Sequence, residues 1–241
     1  MYMDYQELNY QTNESERQLW AVSAFPALMR KVYVWMTLAL VITGFTAYAV
    51  ATNQALTNII FANPAIVWIL FGAELLIVFS LSAAIEKLSL PVSTLMFVLY
   101  SVINGIVFSS IFYAYTMSSI ATVFFITAGT FGAMSVFGYF TNTSLTSWGK
   151  ILIMALIGII IASVVNLFVK SSGLEVILSY LGVAVFVGLT AYDTQKIKHM
   201  FLQAPDAGEH MQKYALLGAL TLYLDFINLF IYLLRIFGRR E

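Results

Sequence analysis

Two aspartates lie inside the last two apolar stretches of a chain whose apolar segments hold few charges. Asp193 is in the run 188–198 and Asp225 is in the run 220–230. An ionised carboxylate at membrane depth is costly, so such a residue normally faces a cavity, a partner side chain or an ion pathway. The alternative is a protonated structural acid that is hydrogen-bonded to a neighbouring helix. Two acids on successive stretches favour the functional interpretation, because packing alone does not require both.

If the two carboxyl groups meet, they form a pH-sensitive contact. Two carboxylates within hydrogen-bond reach cannot both ionise at low cost, so the pair would titrate as a unit and hold one shared proton near neutral pH. Loss of that proton adds repulsion, and gain of a second proton cancels the charge-assisted bond. Either change loosens the contact, and the residues alone do not predict which of them opens a path. The pair Asp193 and Asp225 therefore predicts a latch between two helices.

The same pair suits a hard cation when it is ionised. Calcium binds several oxygen ligands, and Asp193 and Asp225 could supply a transient calcium site with Asn228 and backbone carbonyls. Asn228 lies three residues after Asp225 and therefore on the same helical face. Glu74, midway along an earlier apolar stretch, is a third intramembrane acid. It either lines the same ion path or pairs with a basic residue such as Arg30.

The composition identifies an integral membrane protein, whose surroundings are the lipid bilayer. Hydrophobic residues make up 61% of the 241 and charged residues 10%, with a mean hydropathy of +0.86, whereas soluble domains carry about 25% charged residues. The net charge of zero gives no support to nucleic-acid binding. The chain has no cysteine, and its two histidines, His199 and His210, fall in one polar connection. Since a glycine-rich phosphate loop is also missing, we predict no cofactor.

Seven stretches are long and apolar enough to span a bilayer, which takes about 20 residues each. They cover residues 32–51, 65–84, 92–113, 119–139, 150–169, 175–195 and 214–236. The connections are short except the last, 196–213, so no second domain fits between spans. We predict one all-α seven-helix bundle over residues 31–241, preceded by a polar tail, 1–30. The first apolar stretch is too long for a signal-peptide core and predicts a retained span.

The orientation follows from lysine and arginine in the short connections. Eight of these residues fall on the side of the N-terminus and four on the other side, which predicts a cytoplasmic N-terminus. Arg235, Arg239 and Arg240 count against this orientation. Either the seventh span crosses fully and places them outside, or it is re-entrant and returns them inside. We expect a full crossing.

The depths of the two aspartates match only under a condition. Counted from the predicted start of the seventh span, Asp225 lies about 10–18 Å along that helix at 1.5 Å per residue. Asp193 lies toward the inner end of the sixth span. The two meet only if the seventh helix starts late or the sixth begins to turn near Thr190. Pairs of small residues predict close helix approach elsewhere, at Gly105/Ser109, Gly158/Ala162 and Ala184/Gly188.

An intramembrane aspartyl protease would also use paired aspartates on adjacent helices. The Tyr192–Asp193 step is similar to the first motif of that family. Its second motif needs glycines just before the aspartate, where this chain has Leu-Tyr-Leu at 222–224. Its Pro-Ala-Leu element would follow the catalytic helices, whereas Pro-Ala-Leu at 26–28 precedes the first span. We therefore predict that the protein is not an enzyme.

Residues 186–198 and 218–230 resemble the signature of the Bax inhibitor-1 family, and most closely its bacterial inner-membrane members. The two segments contain Ala-Tyr-Asp-Thr-Gln and Leu-Tyr-Leu-Asp-Phe-Ile-Asn, both ungapped. The resemblance extends over all seven spans, including residues 29–37 and 127–139. It implies a fold in which the last helix is central and is wrapped by the other six, with a cytoplasmic N-terminus.

The resemblance also implies a function, a pH-sensitive calcium leak whose sensor is an aspartate pair on helices six and seven. Asp193 and Asp225 match that pair. In some members a basic residue on helix two exchanges with the latch, whereas this chain has Glu74 there. Other relatives are described as non-enzymatic regulators that bind a membrane protease or protect against stress. That alternative predicts a dispensable latch and an important exposed segment, such as 1–30 or 196–213.

Overall fold

The computed structural model describes residues 5–202 and 208–239, with side chains from Phe25 onward. Within these residues the backbone is almost entirely helical. The helices are α1 (Tyr5–Ala51), α2 (Gln54–Phe61), α3 (Pro64–Ala84), α4 (Leu90–Phe108), α5 (Ile111–Ala114), α6 (Met117–Phe140), α7 (Thr146–Val169), α8 (Ser172–Leu202) and α9 (Glu209–Phe237).

Seven segments of the described chain are long and apolar enough to cross a membrane, which confirms the predicted seven-helix bundle. α4 and α5 together form the third of them, Leu90–Ala114. They are separated at Ser109 and Ser110, whose hydroxyls donate to the carbonyls of residues 106 and 107. Hydroxyls that bond back to the preceding turn compete with helix propagation.

The last helix is central. In the most apolar window of each span, 67% of residues are buried in α9 but only 6% in α7. α9 packs mainly against α1, α4, α6 and α8, while α3 packs on α4 and α7 packs on α8. The expectation that all six other spans wrap the last helix is therefore wrong in detail. Four spans enclose α9, and α3 and α7 form an outer layer that faces lipid.

The polar ends of the helices extend further than the apolar pattern predicts. α1 begins at Tyr5 and runs through Pro26, so the described backbone of the polar tail is helical. Most of the predicted connection 196–213 is also helical, because α8 ends at Leu202 and α9 begins at Glu209. The short helix α2 was not predicted. Its first turn is capped by Asn53, whose side chain accepts from the backbone N–H groups of residues 55 and 56.

The seventh span crosses the whole bundle, as we expected. At its start, the Glu209 carboxylate accepts from the Leu90 backbone N–H, and at its end the Arg239 backbone N–H donates to Ser119. Leu90 is the first residue of α4 at one end of the bundle, and Ser119 lies in the first turn of α6 at the other end. We call the end with connections 85–89 and 141–145 the tail face, because the first span begins there. The opposite end, with connections 115–116 and 170–171, is the far face.

Small residues permit close contacts at two of the three predicted positions. A Cβ atom on Gly105 would meet the backbone of Thr43 in α1, and one on Gly188 would meet Leu152 in α7. Gly158 has open space around it. The tightest approach involves Gly138, where a Cβ atom would overlap the backbone of Ala191 in α8. This contact fixes α6 beside the segment of α8 that carries Asp193.

Candidate functional site

The structure brings the two aspartates together. Asp193 of α8 and Asp225 of α9 lie within hydrogen-bonding reach of each other, with exposed fractions of only 9% and 4%. Neither predicted condition is needed for this contact. α8 remains helical through Thr190, and α9 starts earlier than predicted rather than later.

The predicted depth of Asp225 is wrong. α9 begins at Glu209, sixteen residues before Asp225, which is about 24 Å of helix. The count from the apolar boundary underestimates the depth because α9 continues past that boundary on the tail face. α8 likewise continues to Leu202, nine residues past Asp193. The carboxyl groups therefore lie inside the bundle, well away from both helix ends.

The neighbouring helix α6 holds the pair in a restricted space. The Thr194 hydroxyl donates to the Ser135 hydroxyl of α6 over 3.5 Å, one residue after Asp193. On α9, Phe226 follows Asp225 and packs against Phe131 of α6, with ring centroids 5.5 Å apart. Because α9 runs toward the far face, Phe226 and the buried apolar residues that follow it form an apolar layer on that side of the pair.

The surroundings of the pair disfavour two ionised carboxylates. Oδ2 of Asp225 is buried, and no donor of the described residues bonds to it. An unpaired buried carboxylate oxygen is costly. Lys196, three residues after Asp193, attracts the Asp193 carboxylate but is itself exposed at the surface. Two ionised carboxylates at this contact would repel each other, whereas one shared proton would leave a single negative charge.

Among the described residues, the amide nitrogen of Asn228 donates no hydrogen bond to Asp193 or Asp225. Its Nδ2 donates to the Leu224 carbonyl of its own helix at 2.8 Å. Among the described residues, no cluster of three or more histidine, cysteine, aspartate or glutamate side chains is placed to hold a metal ion. A cation at Asp193 and Asp225 would therefore find two carboxylates there, a donor set suited to weak binding.

Glu74 lies in a second polar cluster rather than beside the aspartates. Its carboxylate accepts from Asn104 Nδ2 at 2.9 Å, so it bonds to α4 instead of pairing with Arg30. Asn104 Oδ1 accepts from the Tyr223 hydroxyl of α9 at 3.0 Å. That hydroxyl also contacts the Thr43 hydroxyl of α1 at 2.7 Å. We call Glu74, Asn104, Tyr223 and Thr43 the Glu74 network.

The Glu74 network reaches α9 only two residues from Asp225. Tyr223 is fully buried and faces α1 and α4, whereas Asp225 faces α8. One helix thus carries both polar groups on different faces. Tyr223 and Thr43 are not among the site residues that were predicted from the sequence. The signal was present, since both are polar residues inside apolar stretches and Tyr223 belongs to the Asp225 motif.

Side chains of α8 and α9 also hold both connections at the tail face. Gln195 donates to the carbonyl of residue 143 at 2.9 Å and accepts from the N–H of residue 145 at 2.8 Å. Lys213 is 9% exposed, and its ammonium group donates to the carbonyls of residues 86 and 88 at 3.1 and 2.9 Å. Movement of α8 against α9 would therefore move these connections as well.

Comparison with known proteins finds relatives along almost the whole described chain. Residues 26–241 match a family model described as inhibitor of apoptosis-promoting Bax1. An inner membrane protein of Escherichia coli, YbhL, is 52% identical over 214 residues, covering 88% of this chain and 92% of its own. Uncharacterized proteins of Borreliella burgdorferi and Rickettsia prowazekii are 48% and 43% identical. Each match covers 88% of this chain. It covers 92% of the Borreliella burgdorferi protein and 89% of the Rickettsia prowazekii protein.

Proposed function

Because the chain belongs to the Bax inhibitor-1 family, we propose that it is a non-enzymatic, pH-sensitive leak channel for calcium or other cations, gated by Asp193 and Asp225. The observation that carries this proposal is the buried contact between the two carboxyl groups across α8 and α9. Intramembrane acids of this kind are expensive and mark ion or proton pathways. The inner-membrane relative and the lysine and arginine count support a bacterial inner membrane with a cytoplasmic N-terminus.

The described conformation corresponds to a closed state in this proposal. The shared proton joins α8 to α9, and the layer that begins with Phe226 closes the path toward the far face. Phe226 packs on two rings of α6, Phe124 and Phe131, at 5.4 and 5.5 Å. Opening requires α8 and α9 to separate enough to part this aromatic layer.

A change in protonation supplies the free energy for that separation. With one proton, the pair makes a charge-assisted hydrogen bond, which is stronger than a neutral one. Without a proton, two negative charges face each other in a buried site. With two protons, the bond is neutral and weaker. The contact between α8 and α9 is therefore strongest when Asp193 and Asp225 hold one proton together.

The ionised pair provides the cation with a transient site. Two carboxylates attract a divalent ion. The ion enters from the tail face, because α8 ends there only nine residues past Asp193. Too few acids are present for tight binding, and a conducting path needs sites that release the ion again. Glu74 is a further candidate for the path, because its network reaches α9 beside Asp225.

Calcium flux into liposomes that contain the purified protein tests the proposal. We expect a protein-dependent flux that changes between pH 5 and 8 in the wild type and is nearly constant in Asp193→Asn and Asp225→Asn. Glu209→Gln is the matched control, since it neutralises an exposed acid of the same helix α9. Absence of flux above empty liposomes at every pH would contradict the channel and favour the non-enzymatic regulator of a membrane protease.

A further inference from the structure

We propose that the far face carries a binding site for the phosphate group of an anionic phospholipid, formed by Lys170 and Arg235. A cavity of about 450 Å³ lies there between α7, α8 and α9. Its polar lining residues are Ser163, Asn166, Lys170, Ser172, Glu175 and Arg235. A second cavity of about 300 Å³ shares Ser172, Glu175 and Arg235 with it and extends along α8 to Tyr180.

Lys170 is held at this cavity in an unfavourable backbone conformation. It follows the last residue of α7 with φ of 53°, and it is the one non-glycine residue of the described chain with a positive φ. Glycine usually takes this position at a helix end, because it carries no Cβ atom. The turn is fixed by Asn166, whose carbonyl and side-chain oxygens accept from the N–H groups of residues 170 and 171 at 2.8 and 3.0 Å. A lysine at this strained position suggests a use for its ammonium group.

Arg235 brings a second cation to the same cavity from a different helix. Its guanidinium group lies 5.5 Å from the ring centre of Tyr232, a contact that orients the planar group. Arginine binds phosphate through pairs of parallel N–H···O bonds. With Glu175 also in the lining, the three charged groups sum to one positive charge. A phosphodiester carries one negative charge, and the hydroxyls of Ser163 and Ser172 can donate to its oxygens.

The position of the cavity favours a lipid over free phosphate. Its wall includes Leu167, which is 68% exposed, and the next residue, Phe168, is 83% exposed. These side chains belong to the lipid-facing surface of α7. The cavity therefore lies at the end of the apolar spans, where phospholipid headgroups are found, and acyl chains can follow the surface of α7 and α8. Lysine and arginine side chains at this level can pair with the phosphate groups of anionic headgroups.

The charge distribution of the sequence is consistent with the proposal. Arg235 and Lys170 fall on the side of the bilayer where few basic residues are expected from the predicted orientation. A bound anionic headgroup compensates these cations and anchors the end of α9. Arg235 lies ten residues past Asp225 on α9, about 15 Å of helix, so the existence of the site does not depend on the leak.

Binding of a fluorescent phosphatidylglycerol to the full chain in neutral detergent tests the proposal, with phosphatidylcholine and inorganic phosphate as competitors. We expect phosphatidylglycerol to bind best and each of Lys170→Gln and Arg235→Gln to weaken it about fivefold. Lys150→Gln, an exposed lysine at the tail face, should leave the affinity unchanged. Equal affinity in the wild type and both variants would overturn the site. Displacement of the lipid by millimolar inorganic phosphate would overturn the assignment to a lipid.

Lys170→Gly separates a lost ligand from a damaged fold. Glycine accepts φ of 53° without strain, so this variant should melt at the same temperature as the wild type or higher. Its affinity for phosphatidylglycerol should nevertheless fall about fivefold, because the cation is gone. Unchanged affinity in a well-folded Lys170→Gly protein would overturn the role of Lys170.

Discussion

Replacing Asp225 by asparagine removes one of the two acids while keeping the size of the side chain. In the wild type, Asp225 is 4% exposed and lies within hydrogen-bonding reach of Asp193. Asparagine can still donate a hydrogen bond to Asp193, so the packing of α8 on α9 should survive. The variant cannot hold a shared proton or two negative charges. Its flux should therefore lose most of its pH dependence.

The size of the effect follows from the distance between the charges. Two carboxylates about 4 Å apart repel by about 4 kcal/mol at an effective dielectric constant near 20. That energy changes the ratio of open to closed channels by up to about a thousandfold. A second proton replaces a charge-assisted bond by a neutral one, which weakens the contact by about 1 kcal/mol, or about fivefold. The wild-type flux should thus pass through a minimum, with a steeper rise on the alkaline side.

The assay is the initial rate of calcium entry into liposomes, measured in small pH steps from 5 to 8 with equal amounts of protein. Asp225→Asn should give a nearly level profile, and Glu209→Gln should keep the wild-type profile. Thermal unfolding in detergent checks that both variants are folded. A folded Asp225→Asn protein with the same minimum as the wild type would refute the assignment of the sensor to this pair.

Three further substitutions test the packing, each by thermal unfolding in detergent. Gly138→Ala should destabilise the protein by about 1–3 kcal/mol, because its methyl group would overlap the backbone of Ala191. Gly158→Ala is the control, because the open space around Gly158 accepts a methyl group without loss of stability. Equal losses of stability in the two variants would contradict the close contact at Gly138. Tyr223→Phe should cost about 1–3 kcal/mol, because it leaves buried polar partners on α1 and α4 unsatisfied; unchanged stability would show that water replaces the hydroxyl. Lys213→Met should cost a similar amount, since the carbonyls of residues 86 and 88 lose their donor; an unaltered melting temperature would contradict this role.

The seven spans could be predicted in full, and the aspartate contact in part, because each has a strong physical cause. A bilayer requires about 20 apolar residues per helix, so the spans are visible in the hydropathy of the sequence. An acid such as Asp193 or Asp225 is too costly at this depth to be without a partner. Two of them on successive helices indicated a contact, but their depths counted from the sequence matched only under conditions that the structure does not meet.

The remaining features depend on information that the local pattern does not carry. The depth of Asp225 was underestimated because α9 extends past the apolar boundary, where hydropathy no longer marks the helix. The partner of Glu74 could not be predicted, since Asn104 reaches it only through the packing of α3 on α4. Asn228 shares a helical face with Asp225, yet its Nδ2 bonds to its own backbone. Helical spacing predicts the face of the helix on which a side chain lies, but it does not predict the hydrogen-bond partner of that side chain.

A central seventh span has a consequence for how the protein is assembled in the cell. During synthesis, six spans enter the membrane before α9 does, and four of them present faces that α9 later covers. Until then, Asn104 lacks the Tyr223 hydroxyl and Asp193 lacks the Asp225 carboxyl. A ribosome that stalls before residue 209 would release a bundle with an open centre and unpaired polar groups. Membrane quality-control proteases can recognise the unpaired polar groups of such a product.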